Sequence, residues 1–193
     1  DKGLPASERK RIAHQREFCE SEFSRLQGFF AERKASGNVK ECHGDLHLEN
    51  MLLADNKVRL FDCLEFNPQL RWIDVMSDVA FTWIDLIDHR LPRLAWRFLN
   101  GYLEVTGDYA GLATLRFYAV YRALVRAKVA LIRRGQFGPS ETERAISEQM
   151  CARYLAVAEN LVQVPRLHIV LTCGVTGSGK TTVSQQLLES LGA

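Results

Sequence analysis

A glycine-rich segment constrains the fold of this chain more than any other sequence feature. Residues 174–181 read Gly-Val-Thr-Gly-Ser-Gly-Lys-Thr and match the pattern G-x-x-x-x-G-K-[ST] at every fixed position. The glycines let backbone N–H groups turn towards a polyphosphate, and the N-terminus of the next helix adds positive potential. An apolar run at Leu167–Cys173 and an amphipathic segment at Lys180–Leu191 predict a strand before the loop at 174–182 and a helix after it.

This loop pattern predicts a binding site for ATP and Mg²⁺. Lys180 is expected to reach the β and γ phosphates, and Thr181 to offer its hydroxyl to Mg²⁺. The other residues predicted to contact the nucleotide are Gly174, Gly177, Ser178, Gly179 and Thr182. The structural alternative is a glycine turn that only joins a strand to a helix. Sites of this kind also use an acidic residue, which would have to come from a later strand. We therefore expect weak nucleotide binding by this segment alone.

Most of the chain before Pro165 has helical periodicity. Helices are predicted over 7–35, 73–88, 92–105, 109–135 and 140–163, with a strand over 39–42 and a hairpin of 51–53 with 58–61. The pattern changes near residue 164. We therefore predict a mostly α domain with a small β-hairpin over residues 1–163, followed over 164–193 by the first β-loop-α unit of an α/β domain.

Composition and charge exclude several classes of protein. Apolar residues make up 47% of the 193 residues, which is enough for a core. The net charge of +2 does not favour a nucleic-acid or membrane-surface partner, and no apolar run approaches the roughly 18 residues of a membrane span. Five cysteines without a C-x-x-C pair suggest reduced thiols and a cytoplasmic location. A start without methionine predicts a fragment of a longer polypeptide.

A second motif lies at residues 43–50, His-Gly-Asp-Leu-His-Leu-Glu-Asn, and the predicted hairpin then leads to Asp62. Asp45 and Asn50 have the spacing of a kinase catalytic loop, H-R-D-x-x-x-x-N. In phosphoryl transfer, one carboxylate accepts or orients the proton of the acceptor hydroxyl, while a carboxamide and a second carboxylate hold Mg²⁺. We therefore predict Asp45 as the catalytic base and Asn50 with Asp62 as the metal ligands.

The segments HGDLHLEN and VRLFD resemble the aminoglycoside phosphotransferase and choline kinase-like group, which shares the protein-kinase-like fold. With the glycine-rich loop, the chain resembles bacterial fusions of such a domain to a P-loop kinase. The resemblance implies that residues 1–163 form the C-terminal lobe of a kinase without its N-lobe, so the chain alone is expected to be poorly active or inactive. It also implies that His43 and Asp78 support the catalytic loop. Asp62-Cys63-Leu64 replaces Asp-Phe-Gly, so activation-loop switching is not expected.

The main prediction is an ATP-dependent phosphotransferase acting on a small-molecule hydroxyl, with the P-loop as a second ATP site. One alternative is a catalytically silent kinase-like lobe that acts as a scaffold or regulator for an active P-loop kinase. Another is a metal-dependent hydrolase, because His43, Asp45 and His47 alternate and would share one face of a strand. A purely structural role for these polar residues, as caps of a loop, is also open.

The charge of the helical region indicates which kind of molecule could accept the phosphate. Residues 90–134 carry nine basic side chains against two acidic ones, and Asp85 and Asp88 are the nearby candidates for acidic pocket walls. A basic region disfavours a polycationic acceptor, so a neutral or anionic small molecule is predicted. Arg122 and Arg126 lie four residues apart on one helix face. We expect them on a solvated face or in ion pairs, with contact to an anionic substrate as the alternative.

Overall fold

The structure is a computed structural model that describes residues 6–135, 140–163 and 170–191. Helices make up most of these residues, as predicted. They are α1 (Ala6–Ala35), α2 (Val75–Asp88), α3 (Pro92–Thr106), α4 (Leu112–Gly135), α5 (Glu141–Val162) and α6 (Lys180–Leu191). Short 3₁₀ turns occupy Leu48–Asn50, Pro68–Leu70 and Tyr109–Gly111. The predicted domain boundary near residue 164 lies outside the described residues.

Two small antiparallel sheets flank the helices. Strand β1 (Val39–Glu41) pairs with β4 (Trp72–Asp74), and β2 (Met51–Ala54) pairs with β3 (Lys57–Leu60). The β2–β3 hairpin confirms the prediction, and its two turn residues, Asp55 and Asn56, have φ angles of 52° and 58°. A two-residue turn with positive φ at both positions matches the twist of the strands it joins, and Asp and Asn tolerate that conformation well.

Several boundaries differ from the sequence prediction; the helix predicted from residue 109, for example, begins at Leu112 after a 3₁₀ turn. The helix predicted over 73–88 begins at Val75, because Ile73 and Asp74 pair with β1 instead. Helical periodicity cannot reveal a strand partner more than thirty residues away. A strand is also predicted at Leu167–Cys173, and this prediction is wrong for residues 170–173, the part of that range that the structure describes. Residues 170–173 form no strand, since no described segment lies beside them to complete a ladder.

The core is built around α2, which contacts α3, α4 and α5. All residues from Met76 to Leu86 are buried, and Met76, Phe81 and Ile84 are completely inaccessible. A helix that is buried on every side must satisfy its polar side chains internally, because water cannot reach them. Among the described residues, no helix combines the length and the apolar composition needed to cross a bilayer.

A buried arginine joins three parts of this fold. Arg33, at the end of α1, is 3% exposed and donates two hydrogen bonds to Asp74, at 2.6 and 2.7 Å. It donates two more to Asp108, between α3 and α4, at 2.8 and 2.9 Å. Asp74 also caps α2 by accepting the N–H of Met76 at 2.9 Å. The hydrogen bonds to the two carboxylates offset the desolvation free energy of the buried guanidinium. They therefore hold α1 against the start of α2.

Replacing Asp108 by asparagine tests this cluster. Hydrogen bonds from Arg33 lower the pKa of Asp108 against the opposing effect of burial. Its stabilisation is therefore present above the ordinary pKa of an aspartate and is lost as the pH falls through the folded-state pKa. We expect Asp108→Asn to cost about 2 kcal/mol at pH 7, with the difference from the unsubstituted chain shrinking in acid.

Denaturant unfolding at several pH values measures this difference. Asp55→Asn is the matched control, because Asp55 makes an exposed ion pair with Arg59, worth about 0–1 kcal/mol. Equal costs for the two substitutions, or a cost for Asp108→Asn that does not change with pH, would contradict the assignment.

Candidate active site

Residues 43–50 connect β1 to β2, and their backbone is held by side chains of α2. Asp78 accepts the N–H groups of His43 and Gly44 at 2.8 and 3.0 Å. Thr82 donates to the carbonyl of Leu46 at 2.8 Å, and Asp85 accepts the N–H of Leu48 at 2.7 Å. These three side chains lie at positions i, i+4 and i+7, so they share one face of α2. We call them the polar stripe of α2.

Gly44 is required by the path of the loop. Its φ angle is 84°, in the left-handed region, and a Cβ at this position would lie 2.8 Å from the carbonyl oxygen of Leu70. Gly44 is also buried. Any side chain here would push the loop off the polar stripe or force the backbone near Leu70 to move.

Arg122 and Arg126 of α4 hold the loop from the other side. Arg122 donates to the carbonyl of Gly44 at 2.8 Å and to Ser77 at 3.0 Å, and it lies 3.5 Å from Asp78. Arg126 reaches Glu49 at 3.1 Å and lies 3.3 Å from Nε2 of His47. The two arginines are 7% and 5% exposed. The prediction of ion pairs is confirmed, whereas that of a solvated helix face is wrong.

Asp45 extends from this loop with its side chain 34% exposed. Its Oδ2 lies 3.3 Å from Nε2 of His47. Burial acts to raise the pKa of Asp45, but the contact with His47 and the charges of Arg126 and Arg122 outweigh it, so the pKa is lowered. Asp45 is therefore an ionised carboxylate with access to a ligand.

Asn50 and Asp62 lie near Asp45. The Nδ2 of Asn50 donates to the backbone carbonyl of Asp45 at 2.9 Å and to its Oδ2 at 3.3 Å. The hairpin returns the chain to the loop, because the N–H of Phe61 donates to the carbonyl of Asn50 at 3.2 Å and the carbonyl of Phe61 lies 2.8 Å from Nε2 of His43. Asp62 follows with a φ angle of 57°, in the left-handed region that aspartate tolerates.

Two cavities meet at Asp45. The first, which we call the Asp62 cavity, has a volume of about 580 Å³ and is lined by Asp45, Asp62 and residues 63–66. The second, which we call the aromatic cavity, has a volume of about 670 Å³ and is lined mostly by apolar and aromatic side chains of β4, α4 and the segment before β4. Asp45 lines both cavities. Asp45 therefore lies at the border of the two cavities.

The metal-ligand arrangement expected for a hydrolase is absent from the described residues. Residues 43–47 form a loop rather than a strand, and the donor atoms of His43, Asp45 and His47 do not converge. The donors that do converge are those of Asp85, Asp88 and His89. In that group, Asp85 accepts the N–H of Leu48 and the hydroxyl of Tyr154, and Asp88 pairs with Arg153. These carboxylates already have protein partners.

The glycine-rich loop leads into α6, whose bounds match the predicted helix. Gly177 and Gly179 have φ angles of 81° and 83°, in the left-handed region that the motif needs. The Nζ of Lys180 donates to the carbonyls of Gly174 and Val175 at 2.8 and 2.7 Å. Ser178 lies against Gly174, Thr181 is exposed, and Thr182 lines a cleft between α3 and α6. None of these residues lines either cavity at Asp45.

The structure also shows what sequence reasoning missed. Asp85 is completely inaccessible and Asp88 has a side chain that is 2% exposed, so neither candidate forms an acidic pocket wall. Instead, Asp85 belongs with Thr82 to the polar stripe. The signal was present in the sequence as polar residues at positions 78, 82 and 85 of a mostly apolar helix. Nothing in the sequence indicated that Arg122 and Arg126 would face the loop.

Three proteins of similar sequence come from mycobacteria. The chain is 35% identical over 164 residues to an uncharacterized protein of Mycobacterium tuberculosis strain H37Rv, and equally to uncharacterized proteins of strain CDC 1551 and of Mycobacterium bovis. Each match covers 85% of the chain but 32% of the relative, so the chain spans about a third of the length of the curated relatives it matches. No protein-family model and no solved structure matches the sequence.

The glycines at positions 44 and 37 provide a test of the loop geometry. Both have positive φ angles, but a Cβ at Gly37 would meet no atom within 4 Å. Alanine at either position strains the backbone, whereas only Gly44→Ala also collides with the carbonyl of Leu70. We expect Gly44→Ala to destabilise the chain by about 1–3 kcal/mol more than Gly37→Ala, measured by denaturant unfolding. Equal losses would contradict the close approach.

Proposed function

We propose that this chain carries the catalytic loop of an ATP-dependent phosphotransferase that acts on a small-molecule hydroxyl. The observation that carries the proposal is the position of Asp45 between two cavities, with Asp62 lining one of them and aromatic side chains lining the other. Phosphoryl transfer needs a nucleotide and an acceptor to approach one carboxylate from different sides. The spacing of Asp45, Asn50 and Asp62, and the resemblance that it carries, support the same conclusion.

Asp45 acts as the base in this proposal. Its lowered pKa keeps it ionised at neutral pH, so it accepts a hydrogen bond from the acceptor hydroxyl and orients that oxygen. The hydroxyl oxygen forms a bond to the γ phosphorus while the bond from that phosphorus to the ADP oxygen breaks, and the hydroxyl proton passes to Asp45. His47 and Asn50 contact this carboxylate, each at 3.3 Å, and Arg126 in turn lies 3.3 Å from His47.

The residues near Asp45 fit a magnesium ion. Mg²⁺ prefers hard oxygen ligands. Because Nδ2 of Asn50 makes both hydrogen bonds to Asp45, its Oδ1 remains as a ligand atom. Asp62 adds an exposed carboxylate at the end of the hairpin. A Mg²⁺ ion held by Asn50 and Asp62 would neutralise charge on the phosphates of ATP.

The glycine-rich loop at residues 174–182, the P-loop of this proposal, would form a second ATP site. Its left-handed glycines and the position of Lys180 agree with a phosphate-binding loop. Lys180 would exchange its contacts with the loop carbonyls for contacts with phosphate, and Thr181 would reach Mg²⁺. If this loop is the working site and Asp45 has no chemical role, the kinase-like lobe is a scaffold or regulator for it.

Binding of Mg²⁺·ATP to the 193-residue chain, measured by calorimetry, tests the proposed metal site. We expect Asp62→Ala to weaken binding at the lobe by at least about tenfold, because a ligand of the ion is lost. Asp55→Ala is the matched control, since Asp55 is also an exposed aspartate with a positive φ angle, 52°, and lies in the turn between β2 and β3. Binding that depends on Lys180 and not on Asp62 would favour the scaffold alternative and contradict the proposal.

Asp45→Asn distinguishes a base from a metal ligand within the same cavity. Because it removes a negative charge near the polyphosphate without removing a ligand, we expect Mg²⁺·ATP to bind equally well or more tightly. In assays of ADP release with a panel of sugars and alcohols, run with an acceptor and a protein concentration at which the unsubstituted chain gives a measurable rate, the same substitution is expected to reduce that rate by about 10²–10⁴-fold. Weaker ATP binding, or an unchanged rate of ADP release, would show that Asp45 does not have the proposed role.

A further inference from the structure

The aromatic cavity beside Asp45 contains rings that the protein itself leaves uncovered. Phe66 is 80% exposed, Trp72 is 56% exposed and Tyr121 is 46% exposed. They come from the segment before β4, from β4 and from α4, yet all three line the same cavity as Asp45. We call them the aromatic platform. Exposed rings gathered around a carboxylate form a surface suited to an apolar ligand face.

The charged side chains of this cavity are nearly all occupied. Besides Asp45, they are Lys34, Asp74 and Arg122. Asp74 is held by two hydrogen bonds from Arg33, and Arg122 is held by Gly44, Ser77 and Asp78. The cavity therefore offers a ligand one carboxylate and, at an exposed position, one ammonium group. A polycation would find no acidic wall there, and a polyanion would find no cluster of positive charge.

The size of the cavity limits the ligand further. Its volume of about 670 Å³ lies within the usual range for small-molecule sites. An elongated or macromolecular ligand would have to extend well beyond it. A single compound of one or two rings can lie on the platform and bring a hydroxyl group to Asp45.

We propose that the phosphate acceptor is a neutral, ring-bearing alcohol that lies with its apolar face on Phe66, Trp72 and Tyr121 and directs a hydroxyl to Asp45. This inference rests on the proposed function. The acceptor oxygen bonds to the γ phosphorus of ATP, the bond to ADP breaks, and the proton goes to the Asp45 carboxylate. The aromatic platform determines which compound binds, whereas Asp45 acts on its hydroxyl.

Binding of phenyl β-D-glucopyranoside to the 193-residue chain tests the proposal without ATP. This probe is neutral and has two rings, and its dissociation constant is measured by ligand-observed NMR titration. We expect Tyr121→Ala and Phe66→Ala each to weaken binding by about three- to tenfold. Tyr109→Ala is the matched control, because Tyr109 is 58% exposed and does not line the cavity. Kanamycin serves as the polycationic comparison.

Each outcome decides the question. Weaker binding in both platform variants, with no change in Tyr109→Ala, supports the proposal. No binding to the unsubstituted chain, equal effects in all three variants, or tighter binding of kanamycin would overturn it. Phe66 is mostly exposed, so Phe66→Ala remains informative if Tyr121→Ala disturbs the fold. Because the probe is titrated without ATP, loss of this inference leaves the Mg²⁺·ATP result unaffected, and failure of ATP binding leaves the probe result interpretable.

Discussion

The hydrogen bonds between the polar stripe of α2 and the backbone of the loop at residues 43–50 are the interaction on which the candidate site depends. Asp78, Thr82 and Asp85 are buried in a mostly apolar helix, so each would carry a large desolvation cost without a partner. The backbone of residues 43–48 supplies those partners. The core and the loop therefore stabilise each other, because packing α2 into the core requires the loop to be in place.

Arginines of α4 complete this arrangement. Burial lowers the pKa of Arg122, while the charges of Asp78 and Asp45 act in the opposite direction. An arginine stays charged even so, and its planar group has enough donors to bind the loop carbonyl and α2 together. The two buried arginines also lower the pKa of Asp45. The groups that shape the loop are thus also those that keep its carboxylate ionised.

The helices, the hairpin and the residues of the loop could be predicted from the sequence because their signals are local. Apolar periodicity locates α3, α4 and α5, and the Asp55-Asn56 pair between two short apolar runs indicates the hairpin. The failures at β4 and at residues 170–173 depended on partners distant in sequence. Strand β4 forms because β1 lies beside it, whereas residues 170–173 have no described neighbour with which to form a ladder.

The sequence by itself determined the chemical inventory of the site: an aspartate and an asparagine at kinase-like spacing, a second aspartate after a hairpin, and a glycine-rich loop before a helix. Only the tertiary structure decided which polar residues support that site. Asp85 was a plausible pocket wall by charge, yet it is buried beneath the loop. The aromatic platform is another product of the fold, since its rings come from three separate segments. Spacing along a chain specifies neighbours on one element, but burial and contact between elements depend on how those elements pack.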